Sequence, residues 1–235
     1  KTTTLERLLK ERAAKETPPG DLCYIYNFRD PERPRPITLP PGLGRTFAQD
    51  MDKMIAELER IIPRTLSDSA FGHIRSGIMA DTRGKTEDLS ILTENAAIKL
   101  GLKFEEDGEN IRVFPIHNGE PIDEKAFEAL PAKKRRQIET NMIAFHEHLS
   151  AYSYGRRQIE RDHGERLRKA EIRAITPLVN DLIKEVADRN KRHSAAIGDY
   201  LDEVRNHILE NHLIFMHKEE VEPGGNPGKN EPEMV

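Results

Sequence analysis

A seven-residue repeat of apolar side chains in the second half of the chain constrains the fold more than any other sequence feature. The repeat has spacings of four and three, and its members are Ile138, Met142, Phe145, Leu149, Tyr152 and, one step later, Ile159. Such a repeat is typical of a helix that packs along a second helix. If residues 132–175 are helical, they extend about 66 Å, which is too long for the interior of a compact domain. We therefore expect an elongated helical arm.

We expect this arm to pair with a preceding helical stretch that runs antiparallel to it. The apolar residues of that stretch are Phe71, Ile74, Ile78, Leu89 and Leu92. The seven-residue repeat continues into polar residues at Arg156, His163 and Arg166. We predict that this polar part of the seam is less firmly paired and is a surface for protein partners or substrate.

The residues between the two paired helices predict a small β-hairpin. Gly101 is a typical helix-ending residue. Residues 102–116 then alternate between apolar and polar side chains around Asp107-Gly108, which predicts two strands and a tight turn. Asp123 is predicted to cap a short helix, and Pro131 to open the long one.

The C-terminal part predicts two more helices and a tail. Thr176-Pro177 has the pattern of a helix start, so a new helix is predicted there. A last helix carries apolar residues from Ile197 to Phe215. Residues 217–235 are rich in Glu, Pro and Gly and form an acidic tail that we expect to be disordered.

The first 62 residues predict a helix, a buried strand, a proline-rich loop and a second helix. Residues 21–28 are apolar on both alternating faces, which is typical of a strand covered by helices on both sides and suggests an α/β unit. Residues 29–42 contain five of the 15 prolines, so neither a helix nor a central strand is expected there. Loops of this length are often functional, and we expect this one to contact substrate or a neighbouring subunit. Helical spacing resumes at Phe47 and is expected to stop at Pro63.

Composition excludes several classes of protein. Charged residues make up 33% of the chain and the net charge is -4, so the whole chain is not a polycation built for nucleic acid or membrane surfaces. Cys23 is the only cysteine, which excludes an intramolecular disulfide. No apolar run approaches the roughly 20 residues that a bilayer crossing needs. We expect a cytoplasmic protein.

The short motifs predict no metal site. His146-Glu147-His148 lacks a second histidine four residues after the first, because Ser150 stands there. Gly42-Leu43-Gly44 lacks the third glycine of a dinucleotide loop and predicts the turn that starts a helix. Lys1-Thr2 leads directly into a helix, as the end of a phosphate-binding loop does, although on the motif alone a threonine-capped helix is the simpler interpretation.

The basic stretches predict a solvated helix face. Basic residues occupy positions 133–136 and recur between 156 and 173, where acidic residues interleave with them. The second stretch contains no aromatic residue that could stack on bases. This pattern argues against nucleic acid as a partner.

The segment around the proline-rich loop resembles a known family. Residues 24–36 are Tyr-Ile-Tyr-Asn-Phe-Arg-Asp-Pro-Glu-Arg-Pro-Arg-Pro, and residues 39–45 are Leu-Pro-Pro-Gly-Leu-Gly-Arg. A tyrosine-rich strand that ends in Asn-Phe and leads into such a loop resembles the Lon-related ATP-dependent proteases. A long helix, a helical insertion with a hairpin, the Leu130-Pro131 break and a coiled-coil arm follow in the family's order. The resemblance covers nearly the whole chain.

The resemblance implies a mainly α (α+β) fold, in which a partial α/β AAA+ base carries a long helical coiled-coil insertion. Residues 1–62 would form the partial ATPase base with its loop, and residues 63–176 the insertion with its hairpin. Residues 177–216 would be helices that return to the base.

The resemblance also implies a function. Lys1 and Thr2 match the end of the motif that binds ATP and Mg in the parent protein, a homo-oligomeric ring that degrades protein substrates. The residues expected to contact substrate or a neighbouring subunit are Arg29, Arg33, Arg35 and Arg45. The acidic motif that activates water and the Ser and Lys dyad of the peptidase have no match. The chain alone is therefore expected neither to hydrolyse ATP nor to cleave protein, and to bind no cofactor tightly.

Two other functions stay open on the residues themselves. A coiled-coil adaptor would bind partner helices without chemistry. A nucleic-acid binder would use the basic arm, and its affinity would fall steeply with salt.

Overall fold

The computed structural model of the chain describes residues 2–107, 110–190 and 194–216. Its elements, in chain order, are α1 (Thr2–Ala13), β1 (Asp21–Ile25), β2 (Arg35–Leu39), α2 (Leu43–Ser67), α3 (Ser69–Lys99), β3 (Leu102–Asp107), β4 (Asn110–His117), β5 (Glu120–Pro121), α4 (Glu124–Glu128), α5 (Ala132–Asn190), α6 (Ala195–Glu210) and a 3₁₀ helix (His212–Phe215). The described residues form two compact units. Unit 1 comprises the residues up to Phe71 and those from Glu171 onward, and unit 2 comprises Gly72–Ala170.

The fold is mainly helical with two small sheets, which confirms the predicted mainly α (α+β) class. In the described residues the strand orders are β1-β2 and β3-β4-β5, and all pairs are antiparallel. None of the helices in this part of the chain combines the length and the apolar character that a bilayer crossing needs.

The prediction of a strand covered on both faces is wrong. Along β1, Ile25 is buried while Leu22 and Tyr24 are exposed. The proline-rich segment itself folds back as β2 and pairs with β1, so that Pro36 lies opposite Tyr24. Proline is tolerated there because both strands of a two-stranded sheet are edge strands.

Unit 1 is held together by the apolar faces of three helices. The buried residues are Phe47, Met54, Leu58, Ile62 and Leu66 of α2, Ile175, Val179, Ile183 and Val186 of α5, and Ile197, Leu201, Val204 and Ile208 of α6. Full burial of one such side chain contributes roughly 1.5–3 kcal/mol. The helical spacing of these residues therefore supplies the core against which the hairpin β1-β2 packs.

The prediction that α2 stops at Pro63 is wrong, because the helix continues to Ser67. An internal proline costs a helix about 3 kcal/mol through a lost hydrogen bond and a steric clash. Ile62 and Leu66, on either side of Pro63, are almost fully buried. Their burial offsets that cost and holds the last turn in place.

The prediction of a new helix at Thr176-Pro177 is also wrong, because α5 runs through both residues. The Thr176 hydroxyl does not cap a helix start. It donates a hydrogen bond to the carbonyl oxygen of Ile172, at 2.6 Å. Ile175 and Val179 are fully buried, and this packing keeps the helix continuous across the proline.

Within unit 2, α3 and α5 pair in the predicted antiparallel direction. Asp81 pairs with Arg166, and directly after the end of α3 the carbonyl oxygen of Leu100 accepts from Nδ2 of Asn141 at 2.8 Å. Residue numbers thus fall along α5 as they rise along α3.

The prediction that the polar part of the seam is less firmly paired is wrong. Each of its three polar residues has a partner, and the pairs are Arg156 with Glu106, His163 with Thr82, and Arg166 with Asp81. The apolar part is shorter than predicted, because Ile74 and Leu92 are exposed. Near Leu92 the buried positions of α3 are Thr93 and Ala97, which lie one turn apart on a different face.

The hairpin predicted over residues 102–116 is confirmed as β3 and β4, which pair from Leu102↔Pro115 to Asp107↔Asn110. The expected turn lies partly outside the described residues, which omit positions 108–109. One face of the hairpin is buried against both long helices, and this core consists of Ala97, Leu102, Phe104, Phe145 and Tyr152.

The predicted helix boundaries near this hairpin are confirmed. Gly101 follows α3 with a φ of 67°, a left-handed conformation that favours glycine. Oδ1 of Asp123 accepts from the backbone amide of Ala126 at 2.8 Å and so caps α4. The tail predicted to be disordered, residues 217–235, lies outside the described residues.

Candidate functional site

The hairpin β1-β2 contains most of the residues that the sequence assigns to partner contact. Its strands pair from Asp21↔Leu39 to Ile25↔Arg35, so residues 26–34 form the connection at one end and α2 begins at the other. We call residues 21–45 the N-terminal hairpin segment.

One face of the N-terminal hairpin segment packs into unit 1. Ile25, Ile37 and Leu39 on this face are buried, and β1 contacts α2. A Cβ atom added at Gly44 would lie 2.7 Å from Sγ of Cys23. A side chain at position 44 would therefore require Cys23 or Asp21 to shift.

The opposite face is exposed and mostly apolar. Leu22 and Tyr24 are 60% and 69% exposed, and their cross-strand neighbours are Thr38 and Pro36. Tyr26 follows the end of β1 and is also exposed, and its ring packs edge-on against that of Phe28, with 5.0 Å between the centroids. Side chains two apart on a strand share a face, so Leu22 and Tyr24 form one continuous surface with Thr38 and Pro36, which we call the tyrosine face.

Asn27 organises the connection between the strands. Its Nδ2 donates to the carbonyl oxygen of Arg33 at 3.0 Å, and its Oδ1 accepts from the amide of Arg29 at 3.2 Å. Two backbone turns follow, from Asn27 to Asp30 and from Asp30 to Arg33. Sequence reasoning missed this role, although asparagine before a polar, proline-containing stretch is a recognised turn signal.

Phe28 and Arg35 fasten the connection to α6. The Phe28 ring lies 4.8 Å from the ring of His207 and 6.1 Å from that of Tyr200, measured between centroids. Burial raises the pKa of Tyr200. The guanidinium of Arg35 makes two hydrogen bonds to the carboxylate of Glu203, at 3.2 and 2.5 Å.

The four arginines predicted as contacts occupy different settings. Arg29 and Arg33 are exposed in the connection. Arg35 anchors the hairpin, because its guanidinium is hydrogen-bonded to Glu203. Its Nε is buried and has no hydrogen-bond partner within the described part of the chain. Arg45 is exposed in the first turn of α2; it follows Gly44, which bonds to Asp21 at the opposite end of the hairpin from Arg29 and Arg33.

The predicted nucleotide residues fall at the margin of the structure. Lys1 lies outside the described residues. Thr2 is the first residue of α1, and its side chain is not described. Leu5, Leu8 and Leu9 of α1 are exposed.

The described ranges bear on two kinds of site, a side-chain cluster that could bind a metal and a buried histidine. No group of three or more His, Cys, Asp or Glu side chains in these ranges could hold a metal ion. The buried histidine, His212, lies between Oε2 of Glu171 at 3.0 Å and the carbonyl oxygen of Leu209 at 3.1 Å. These bonds join the 3₁₀ helix to α5 within unit 1, which is a structural role.

A family model for the Lon-like LonC helical domain matches residues 21–54. The match covers the N-terminal hairpin segment and the first half of α2. No curated protein matches the chain. The segment that carries the tyrosine face is therefore similar to the Lon-like LonC helical domain.

Proposed function

We propose that the chain is part of a Lon-like ATP-dependent serine protease and that the tyrosine face contacts polypeptide substrates. The observation that carries the proposal is the exposure of Leu22 and Tyr24 on one face of the segment that matches the Lon-like helical domain. Exposed apolar patches of this kind mark interaction sites.

The composition of the surface favours an unfolded polypeptide as partner. Tyrosine offers a large apolar ring with a polar hydroxyl and loses little entropy on binding. Unfolded chains expose the apolar side chains that such a face can cover. The guanidinium groups of Arg29 and Arg33 at one end can pair with substrate carboxylates.

The rigidity of the hairpin supports the same proposal. Phe28 and Arg35 hold the connection on α6, and Asn27 closes its turns. A surface that is ordered before binding loses less conformational entropy when the partner arrives.

The nucleotide part of the proposal rests on the resemblance at Lys1 and Thr2. A helix N-terminus presents free amide groups to phosphate oxygens, and α1 begins at Thr2. ATP and Mg would bind there in the complete protein, within a homo-oligomeric ring. The purified chain is expected to show no ATP hydrolysis, and turnover that Lys1→Ala abolishes would contradict this.

The test of substrate contact uses fluorescence anisotropy with the purified 235-residue chain and a labelled, permanently unfolded protein. Tyr24→Ser is expected to weaken binding about tenfold, as truncation of an aromatic anchor does. The matched control is Tyr154→Ser, because Tyr154 is 61% exposed on α5 and should change affinity less than about twofold. Equal effects of the two substitutions, or no binding, would contradict the proposal.

Charge reversal at Arg29 and Arg33 measures how much these two arginines contribute to substrate binding. Arg29→Glu combined with Arg33→Glu should weaken binding, whereas Arg161→Glu, an exposed arginine of α5, should not. Sedimentation of the same variants distinguishes substrate contact from assembly. If Tyr24→Ser changed the oligomeric state and left substrate binding intact, the tyrosine face would be a subunit contact.

A further inference from the structure

A second surface suited to polypeptide lies in unit 2, along the outer edge of β4. It is a groove of about 460 Å³. Its lining residues are Val113, Phe114 and Pro115 of β4, Ile122 and Asp123 after β5, Glu124 and Phe127 of α4, and Met142 of α5. The lining is predominantly apolar, and its size is that of a ligand site.

The backbone beside this groove is an open sheet edge. β4 pairs with β3 along its first six residues, but on its other side β5 pairs only with Ile116 and His117. In the described part of the chain no strand pairs with this outer side of β4 before Ile116. An open edge offers a row of unpaired amide and carbonyl groups to another chain.

The direction of the free groups follows from the ladder. Pro115 has no amide hydrogen for β3, and its carbonyl oxygen accepts from the amide of Ile122 at 2.9 Å, on the outer side. The next amide, that of Ile116, points the other way and donates to Gly101. Because hydrogen bonding alternates along an antiparallel strand, the N–H and C=O of Val113 and Ile111 point to the outer side, as at Pro115.

The charges of the groove indicate which residues a bound segment should contain. Two carboxylates line it, those of Asp123 and Glu124, and the lining residues include no basic side chain. Met142 is 41% exposed, and methionine adapts to side chains of different shape. A segment that combines large apolar side chains with Lys or Arg complements this surface.

We infer that this groove binds an extended polypeptide segment, which adds to the open edge of β4 as a further strand. Backbone hydrogen bonds to Ile111 and Val113 give affinity, and alternate apolar side chains enter the groove. A basic residue of the segment lies near Asp123 and Glu124. The inference rests on the proposed function in one respect, which is that the bound segment belongs to a protein substrate.

The first test measures binding of two short fluorescent peptides to the full chain. Both alternate apolar residues with Thr and Lys, and one carries N-methyl groups on the amides that would bond to β4. The unmodified peptide is expected to bind at least about tenfold more tightly, because N-methylation removes the donors and keeps the side chains. Equal affinities, or no binding of either peptide, would overturn the inference.

Neighbouring positions on α5 provide a matched pair of variants. Met142→Lys places a charge in the apolar groove and should weaken peptide binding about tenfold or more. Ile143→Lys makes the same change at the next residue, which is 75% exposed and does not line the groove. Equal affinities for the two variants would overturn the inference, and circular dichroism shows that both are folded.

A second pair tests the charge preference. Glu124→Gln should weaken binding of the Lys-containing peptide about threefold and leave a Lys-free peptide unchanged, as the loss of one partly screened charge does. Glu128→Gln, on the same short helix outside the groove, should leave both peptides unchanged. Equal loss of both peptides with Glu124→Gln would contradict the assigned partner.

The outcomes separate this inference from the proposed function. Loss of peptide binding with Met142→Lys but not with Tyr24→Ser assigns the strand-addition site to the groove. Binding of unfolded protein without any peptide binding would reject the groove and leave the tyrosine face standing. The alternative occupant is α1 of a second copy of the chain. If a helical peptide of residues 2–16 displaced the extended peptide from the groove, the inference would be overturned in favour of that occupant.

Discussion

The carboxylate of Asp21 in β1 accepts a hydrogen bond from the backbone amide of Gly44 in α2, with 2.8 Å between Oδ2 and the nitrogen. The residue before α2, Gly42, has a φ of 83° and no side chain to cap the helix. The first turn of α2 therefore takes its acceptor from the neighbouring strand, where a negative charge also favours a helix N-terminus. This bond fixes the start of α2 against the hairpin that carries the tyrosine face.

Replacing Asp21 should loosen this junction. Asp21→Ala is expected to lower the free energy of unfolding by about 1 kcal/mol, and Asp21→Asn by less, because an amide oxygen still accepts. Urea denaturation followed by circular dichroism measures both. Glu32→Ala, an exposed change in the same hairpin segment, should stay within about 0.5 kcal/mol of the parent, and a similar loss there would remove the case for a specific cap.

Two glycine substitutions should have opposite signs. Gly44→Ala brings a Cβ to 2.7 Å from Sγ of Cys23, and such overpacking costs about 1–3 kcal/mol. At Gly77 in α3 nothing lies within 4 Å of an added Cβ, so Gly77→Ala should stabilise by about 0.5–1 kcal/mol through helix propensity. Thermal unfolding of both variants measures the change in stability relative to the parent chain. If both variants were stabilised, the close contact at Gly44 would be contradicted.

Tyr152 should make stability depend on pH in the alkaline range. Burial raises the pKa of its hydroxyl to about 12, and the hydroxyl donates to Oε2 of Glu106. The unfolded value is about 10, so the stabilisation is complete below pH about 10 and is lost as the pH rises towards about 12, because the unfolded chain releases its proton first.

The variant Tyr152→Phe should flatten this dependence. Urea midpoints measured between pH about 9 and about 12 report the slope. Tyr154→Phe, at an exposed position of the same helix, should retain the slope of the parent chain. If the two variants gave equal slopes, Tyr152 would not be its source.

Asp50 should be the most sensitive carboxylate of α2. It is buried, its Oδ1 accepts from Nη1 of Arg189 at 3.1 Å, and its Oδ2 accepts from Nδ2 of Asn190 at 2.9 Å. Asp50→Asn should lower the free energy of unfolding by about 1–3 kcal/mol, because an amide cannot accept from both donors. Asp52→Asn, at an exposed position of the same helix, should have almost no effect in the same denaturation experiment.

A double variant tests whether these groups act as one network. Asn190→Ala combined with Asp50→Ala should destabilise by less than the sum of the single changes, since each single change removes the bond between Asp50 and Asn190. Strict additivity would show that Asp50 and Asn190 act separately.

Features that depend on neighbouring residues could be predicted from the sequence. The hairpin at residues 102–116, the cap at Asp123, the end of α3 at Gly101 and the helix start at Gly42 follow from turn and cap chemistry within a few positions. The antiparallel direction of α3 and α5 was also predictable, but only part of the apolar face expected on α3 is buried, since Ile74 and Leu92 are exposed. The proline-rich segment was correctly predicted to be neither a helix nor a central strand, since it forms the edge strand β2 and the connection before it.

Only the tertiary structure decided which face of β1 is covered and what becomes of Pro63 and Pro177. An apolar side chain such as Tyr24 looks the same in sequence whether a helix covers it or solvent does. A proline stops a helix unless burial of its neighbours offsets the cost, and that burial comes from distant elements. Arg35 likewise meets Glu203 across 168 positions, and no local pattern distinguishes this anchor from the exposed Arg29, because a contact between remote residues exists only once the chain has folded.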